Sequence, residues 1–292
     1  MSVVWAIVWR NLLLYFRDGA TVFFSMLGPI ILFGLYVLFL GNLQATGLEQ
    51  GFPDAGRSAV KAFVDSWMFA GIVLITTVTT GLGALAVLVD DSQSGRFRDF
   101  LVSPIRRGQL VLGYLISAVT IALAMSLVVL AVSMLYLGFV SGVWLPPGSL
   151  LRIVAIVVLC CMAFTSLSAV IVSFVRTTGA YSALATIVGT LLGFIAGAYI
   201  PVGSLPPTVA DVINALPFGQ AGVLLRHEFT AETLPGLTGT STEAEEMMRS
   251  VYGIDAFVGE WVVPSVFIVV VLILMTVVCT ALSSLRIRAR IQ

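Results

Sequence analysis

The chain predicts an all-α, polytopic membrane protein with six transmembrane helices. Two features of composition and one of pattern lead there. Of its 292 residues, 59% are hydrophobic and only 10% are charged, whereas a soluble domain is about half apolar and about a quarter charged. The mean hydropathy is +1.07. The apolar residues fall in long continuous runs. In lipid such runs must be helices, because a helix satisfies its own backbone donors and acceptors. An outer-membrane barrel would instead show alternating segments of about ten residues.

Residues 1–19 hold the run SVVWAIVWRNLLLYFRD, interrupted by Arg10, Asn11, Arg17 and Asp18. Trp5, Trp9 and Tyr15 suit a membrane interface. The expectation is an amphipathic interface helix ahead of the first span; the other reading is a ragged start to that span. A cleavable signal is not expected, since its apolar region would not carry these aromatic and charged residues. The first span is placed at about 20–41, with Pro29 inside it, and a polar loop at 42–62. The second span, about 64–89, has Thr76, Thr77, Thr79 and Thr80 near its middle. A polar stretch, 90–109, separates it from the third span at about 110–138. The fourth and fifth spans, about 150–174 and 180–200, are joined by a tight connection at Arg176–Gly179. Residues 201–229 carry four prolines and are too broken to cross, so they predict short re-entrant helices. A polar, acidic loop at 230–258 completes an external segment, 201–259, before the sixth span at about 260–284. The whole of 1–292 reads as one transmembrane domain.

Charge orients this array. Ten of the 15 basic residues fall at the termini and in the loops 90–109 and 175–179: Arg10, Arg17, Arg96, Arg98, Arg106, Arg107, Arg176, Arg286, Arg288 and Arg290. Residues 204–260 hold eight acids against Arg226 and Arg249. Basic residues gather on the cytoplasmic side, so both termini and the 90–109 stretch are expected in the cytoplasm. Cys160, Cys161 and Cys279 lie in apolar runs and read as small buried hydrophobes, not a disulfide framework.

Several chemistries are disfavoured. A Walker A loop needs a lysine after glycine to reach phosphates, and the one lysine, Lys61, lies between Val60 and Ala62. Ion-coupled transporters bury an ionisable group at membrane depth; Asp65, Asp90, Arg152 and Glu260 all lie near span ends. A zinc-protease helix beginning at His227 would need a second histidine at 231, which is alanine. Neither catalytic nor metal-binding residues are therefore assigned. Gly189, Gly193 and Gly197 are spaced by four on the fifth span, as small residues are where helices approach closely. They read either as packing within one subunit or as a subunit interface or transport-path wall. The hydroxyls of Thr76 and Thr80 either bond back to the preceding turn or line a polar cavity.

Within 90–109, Phe97, Phe100, Leu101 and Pro104 share one face of a short cytoplasmic helix capped by Ser92 or Ser94. Such a helix rests on lipid or fits a groove on a partner, with Arg106 and Arg107 at the anionic inner leaflet. Asp91-Ser92-Gln93-Ser94-Gly95-Arg96-Phe97-Arg98-Asp99-Phe100-Leu101-Val102-Ser103-Pro104 resembles the loop after the second span of type-2 ABC exporter permeases, with aspartate for the usual glutamate and Arg96 for the usual threonine. Tyr199-Ile200-Pro201, Leu205-Pro206, Leu216-Pro217-Phe218 and Leu225-Arg226 are similar to that family's re-entrant segment. The resemblance implies a coupling helix seated on a separate ABC ATPase, with Asp91, Gly95, Arg96, Phe97, Phe100, Leu101 and Pro104 at the contact. It further implies a second permease subunit, identical or related, surrounding lipid, no nucleic-acid partner, and ATP with Mg bound by the ATPase and no cofactor in this chain. The expected role is drug, peptide or lipid-like export (multidrug efflux among the options) across a prokaryotic plasma (inner) membrane. An ATP-independent secondary transporter or channel is the alternative.

Overall fold

Asp18 ends one helix and begins the next. Its carboxylate accepts from the backbone N–H groups of Ala20 and Thr21 at 3.1 and 3.3 Å, satisfying donors that a helix start leaves open. The computed structural model describes residues 3–97, 105–259 and 261–290. Before Asp18 lies α1 (Val3–Arg17) and after it α2 (Gly19–Leu35). The amino-terminal segment is thus a helix of its own. Ile7, Val8, Asn11 and Tyr15 bury one face of it, while Trp5 and Trp9 on the other are about half exposed, at 52% and 53%.

The first three spans are longer than the hydropathy suggests. After α2 comes one π-helical turn, Tyr36–Leu40, and then α3 (Gly41–Gly51), giving one 33-residue span. The expected loop at 42–62 is therefore mostly helix. Asn42, Gln44 and Glu49 interrupt the apolar pattern, but polar side chains do not break a helix once it has left the hydrocarbon. At about 1.5 Å per residue the span exceeds the roughly 30 Å apolar thickness. The break comes at Phe52, whose φ of −129° and ψ of 69° suit the residue before Pro53.

Helix α4 (Arg57–Ala84) continues into α5 (Ala86–Gln93) after a one-residue break at Leu85. It is the centre of the molecule, packing against α2, α3, α6 (Arg107–Phe139), α7 (Pro147–Val172) and α8 (Thr178–Ile195). Its apolar window is 78% buried, against 11% for α8. Close approach is made possible by Gly71, where a Cβ would sit 2.7 Å from the Cβ of Ala198, and Gly81, where it would sit 2.4 Å from the Oγ1 of Thr165.

The fifth span ends at Ile195 rather than 200. Beyond it, Gly197 takes φ +60°, a conformation that costs glycine little. Helices α9 (Pro207–Ala215) and α10 (Pro217–Thr230) follow, bent by 87° at Leu216. Each starts with proline in its first turn, where no backbone N–H is needed. The 230–258 segment is also ordered: α11 (Leu234–Thr238), α12 (Thr242–Val251) and a short antiparallel pair, β1 (Phe257–Val258) with β2 (Trp261–Val262). Ser241 caps α12, Glu243 and Glu245 occupy its first turn and Arg249 its last, all complementary to the helix dipole. The last helix, α13 (Ser265–Arg290), packs mainly on α7. The described residues contain six helices long and apolar enough to cross a membrane, or seven if the bent α9–α10 pair counts as one. All three cysteines are free and buried.

If the α4–α7 crossing depends on Gly81, a Gly81→Val variant should lose about 1–3 kcal/mol through overpacking. A lowered thermal midpoint in detergent would report it, with Gly28→Ala, which has open space around it, as the unaffected control.

Candidate functional site

A carboxylate with no exposure to solvent sits where α5 ends. Asp91 is 0% exposed, a position that is costly for a charge unless it is paired and hydrogen-bonded. Arg10 on α1 supplies a two-pronged contact, Nη1 to Oδ2 at 2.8 Å and Nη2 to Oδ1 at 3.0 Å. Arg96 donates to Oδ1 at 3.0 Å, and the Tyr114 hydroxyl on α6 donates to Oδ2. The Asp91 hydrogen bond and charge raise the pKa of the Arg10 guanidinium above its usual value, against the opposing effect of partial burial. Arg10 also donates to Asn11 at 3.1 Å, and Asn11 donates to Ser117 on α6 at 3.0 Å. One carboxylate therefore ties together α1, α5, α6 and the chain leaving α5.

Local sequence explains the return of Arg96. Ser94 closes α5, its N–H donating to Asp90 O at 2.9 Å, and Gly95 takes φ +78°. This left-handed residue reverses the chain and brings Arg96 back over the carboxylate. Ser94 is accordingly the end of α5, and Ser92 lies within α5. Phe97 is 8% exposed and meets the Tyr114 ring edge-on at 6.0 Å. Neighbouring bonds extend the cluster to α8: the Thr178 N–H donates to Gln93 at 2.8 Å, and the Tyr181 hydroxyl to Leu82 O at 2.8 Å, at the α4–α5 break.

These positions revise the expected partner-facing set. Asp91 is fully engaged inside the subunit, and Phe97 faces its own α6 because Tyr114 offers it a ring. Gly95 shapes the turn, and the Arg96 side chain is 56% exposed. Phe100, Leu101 and Pro104 lie outside the described residues. The sequence pattern did not single out Arg10 or Tyr114 as partners of Asp91; the only signal was an arginine inside an otherwise apolar amino-terminal helix.

The second expected set is also redistributed. Thr76 and Thr80 are fully buried and bond back to Ile72 O and Thr76 O at 2.7 and 2.6 Å, so they are core residues and not the lining of a polar cavity. The three glycines do not share a face, because α8 ends before Gly197. Open space surrounds the Cβ position of Gly189, whereas Gly193 abuts the Tyr199 ring of the same subunit. Gly197 instead helps house Arg226. This arginine is 1% exposed and donates to Ala196 O and, at 3.2 Å, to Gly253 O. Those carbonyls lie just past the ends of α8 and α12, where helix dipoles favour cations. The Trp67 ring lies 5.8 Å away. A Cβ at Gly197 or Gly253 would come within 2.8 Å of the guanidinium.

Helix α8 carries a feature that the glycine spacing obscured. Thr178, Ser182, Thr186 and Thr190 recur every fourth residue and are exposed, each hydroxyl after the first bonding back at 2.9–3.0 Å. Ile187, Leu191 and Phe194 are also exposed, at 51–57%. This outward face is mixed, unlike the exposed side chains of α13 between Val266 and Leu285, which are all apolar.

The described residues thus form a bundle of membrane-length helices with buried charges, Asp91 and Arg226, towards opposite ends. The family model for ABC-2 type transporters matches residues 2–228. The chain belongs to that family. It is similar to nodulation protein J of Neorhizobium galegae, 24% identical over 234 residues, covering 80% of this chain and 84% of that protein. It is thus an ABC-type permease, a multi-pass membrane component that works with an ABC ATPase subunit and is not itself the ATPase.

Removing Asp91 would leave Arg10 and Tyr114 without their shared acceptor. Asp91→Ala should cost about 3–5 kcal/mol, whereas Arg96→Gln, at an exposed position, should cost under about 1 kcal/mol. Unfolding in mixed micelles would measure both, and an Arg10→Gln/Asp91→Asn double variant should lose less than the sum of its singles.

Proposed function

We propose that this chain is the membrane body of an ABC exporter, moving an amphipathic or hydrophobic molecule (drug-like, peptide or lipid-like) out of the cell. ATP with Mg is bound and hydrolysed on separate nucleotide-binding subunits. Two permease subunits, identical or related, enclose the path in a prokaryotic inner membrane, with both termini in the cytoplasm. The observation that carries the reading is the Asp91 cluster. A push on the 90–109 stretch reaches α1, α5 and α6 together, because Arg10, Arg96 and Tyr114 all hold one carboxylate. Helix α5 continues into α4, so the same movement passes to the central helix of the bundle.

The ATPase contact is assigned to Phe100, Leu101 and Pro104, together with Arg96, which lies at the exposed edge of the cluster. Phe97 belongs to the inner side. The mixed face of α8 supports a location for the path: its small hydroxyl residues, bonded back within the helix, let a facing subunit approach closely. Cycling between inward- and outward-open states then requires a substrate with different affinities for the two.

The two phenylalanines separate structure from coupling. Phe97→Asp, buried against Tyr114, should lower stability and yield. Phe100→Asp should insert and fold normally but lose substrate-stimulated ATP hydrolysis and export in proteoliposomes. Normal co-purification with the ATPase together with normal export in Phe100→Asp would refute the coupling assignment. A panel of drugs, peptides and lipids in the same assay addresses the substrate.

A further inference from the structure

Helix α4 begins with its charges reversed. Its N-cap, Gly56, offers no side-chain cap, and its first turn holds no acid. The open backbone N–H groups of a helix start form the positive end of its dipole, which favours anions. Here two cations stand instead, Arg57 at the first helical position and Lys61 one turn on. Both line a cavity of about 290 Å³ at the end of the bundle opposite Asp91. Tyr36, Asn42, Asp65 and Tyr136 also line it. On the α2–α3 side the small residues Gly41 and Ala45 leave it room, far more than the roughly 30 Å³ of one water. Tyr36 opens the π-helical turn, an irregularity frequent at functional sites, and its buried hydroxyl has no hydrogen-bond partner.

Neither cation is fully engaged. Arg57 approaches Glu49, which lies outside the cavity lining, at 3.3 Å, yet that carboxylate oxygen is left without a hydrogen bond. Its contact with Asn42 Oδ1 is 3.5 Å, at the outer limit for a hydrogen bond. Lys61 directs one N–H at Asp65 Oδ2, 2.9 Å away, and an ammonium has three. The same Asp65 oxygen also accepts from Ser141 at 2.6 Å. The side chains of Arg57 and Lys61 are 76% and 48% exposed, so both can be reached from solvent. The cavity lining therefore carries two cations against one carboxylate, with donors to spare.

We propose that this cavity binds one phosphate group, supplied by free phosphate or by a lipid head group. Arg57 and Lys61 donate to its oxygens, Arg57 with a planar fork suited to that geometry. The uncapped start of α4 adds a field of the right sign. Asp65 holds Lys61 in place and, as a like charge, limits how tightly the anion is held. Without an anion, two cations crowd the positive end of a helix, each in an exposed pair that contributes little. The inference is independent of the direction of transport and of the exported molecule.

The chain supplies its own reporter, because Lys61 is its one lysine. Acylation of the Lys61 peptide by an amine-reactive ester, read by mass spectrometry, therefore follows this site alone. The permease–ATPase complex would be purified in maltoside detergent and phosphate-free buffer, then offered inorganic phosphate or phosphatidylglycerol. Expected is a saturable, severalfold slowing of Lys61 acylation that sodium chloride at equal ionic strength does not reproduce. Protection by inorganic phosphate alone identifies free phosphate as the source, and protection by phosphatidylglycerol alone identifies the head group. Arg57→Gln should raise the half-protecting concentration about tenfold, as the loss of one charge-assisted hydrogen bond does. Asp65→Asn, which removes the opposing charge, should lower it. Protection by neither source, equal protection by chloride, or an unchanged half-protecting concentration in Arg57→Gln would overturn the proposal. Should Lys61 resist acylation without phosphate, thermal midpoints decide it: phosphate should raise that of the unaltered complex more than that of Arg57→Gln, and an equal rise would overturn the assignment.

Discussion

A carboxylate that cannot reach water governs how the parts of this permease are held together. Asp91 has no exposure, and an unpaired charge there would cost about 3–5 kcal/mol, as much as the larger packing losses. Two of its partners are distant in the chain: Arg10 lies 81 residues before it and Tyr114 23 residues after it. The amino-terminal helix can leave the bundle only by giving up the two-pronged Arg10 contact to that charge. Arg96 makes the same kind of contact but is half exposed, so solvent weakens it. The strong members of the cluster hold the body together, and the weaker one lies on the side where the chain departs.

Arg226 is a second buried charge, reached by different means. No carboxylate pairs with it among the described residues. Carbonyls beyond the ends of α8 and α12 and the face of Trp67 surround it instead. Trp67 in turn donates to Tyr252 O at 2.8 Å. This arginine thus draws together the fifth span, the bent α9–α10 pair, the outer segment and the central α4. Gly197 and Gly253 are glycines because the guanidinium occupies the space a side chain would need. The central helix is consequently anchored by ionic chemistry towards both of its ends, while its middle is packed with apolar residues and self-bonded threonines.

The outer surface divides by chemistry. Helix α13 turns apolar side chains outward along its length, from Val266 at 75% exposure to Leu285 at 64%, as a lipid-facing helix should. Helix α8 mixes hydroxyls with large apolar groups. The seam between α2, α4 and α6 changes character along its length, charged at one end and apolar below. These are three surfaces suited to three environments on one protomer.

Apolar run length is a local property, so the sequence alone determined the class of protein, six membrane-length helices and the broken character of the proline-rich segment. The turn at Gly95 and the caps at Asp18 and Ser241 were equally local. Much less legible was which face of each helix turns inward. In a membrane the core-facing and lipid-facing sides are both apolar, so the amphipathic period that orients helices in soluble proteins carries little information. Leu130 and Leu137 are buried on α6 while Leu127 and Leu135 are exposed, and nothing in their spacing separates them. For the same reason the glycines of the fifth span could be assigned to a single row; Phe97, outside the spans, was placed by its local pattern without sight of Tyr114. Only the tertiary structure paired Arg10 with Asp91, turned Phe97 onto Tyr114 and set Gly197 beside Arg226. Each of those outcomes depends on a partner far away in the chain, and burying a charge makes the choice of that partner decisive.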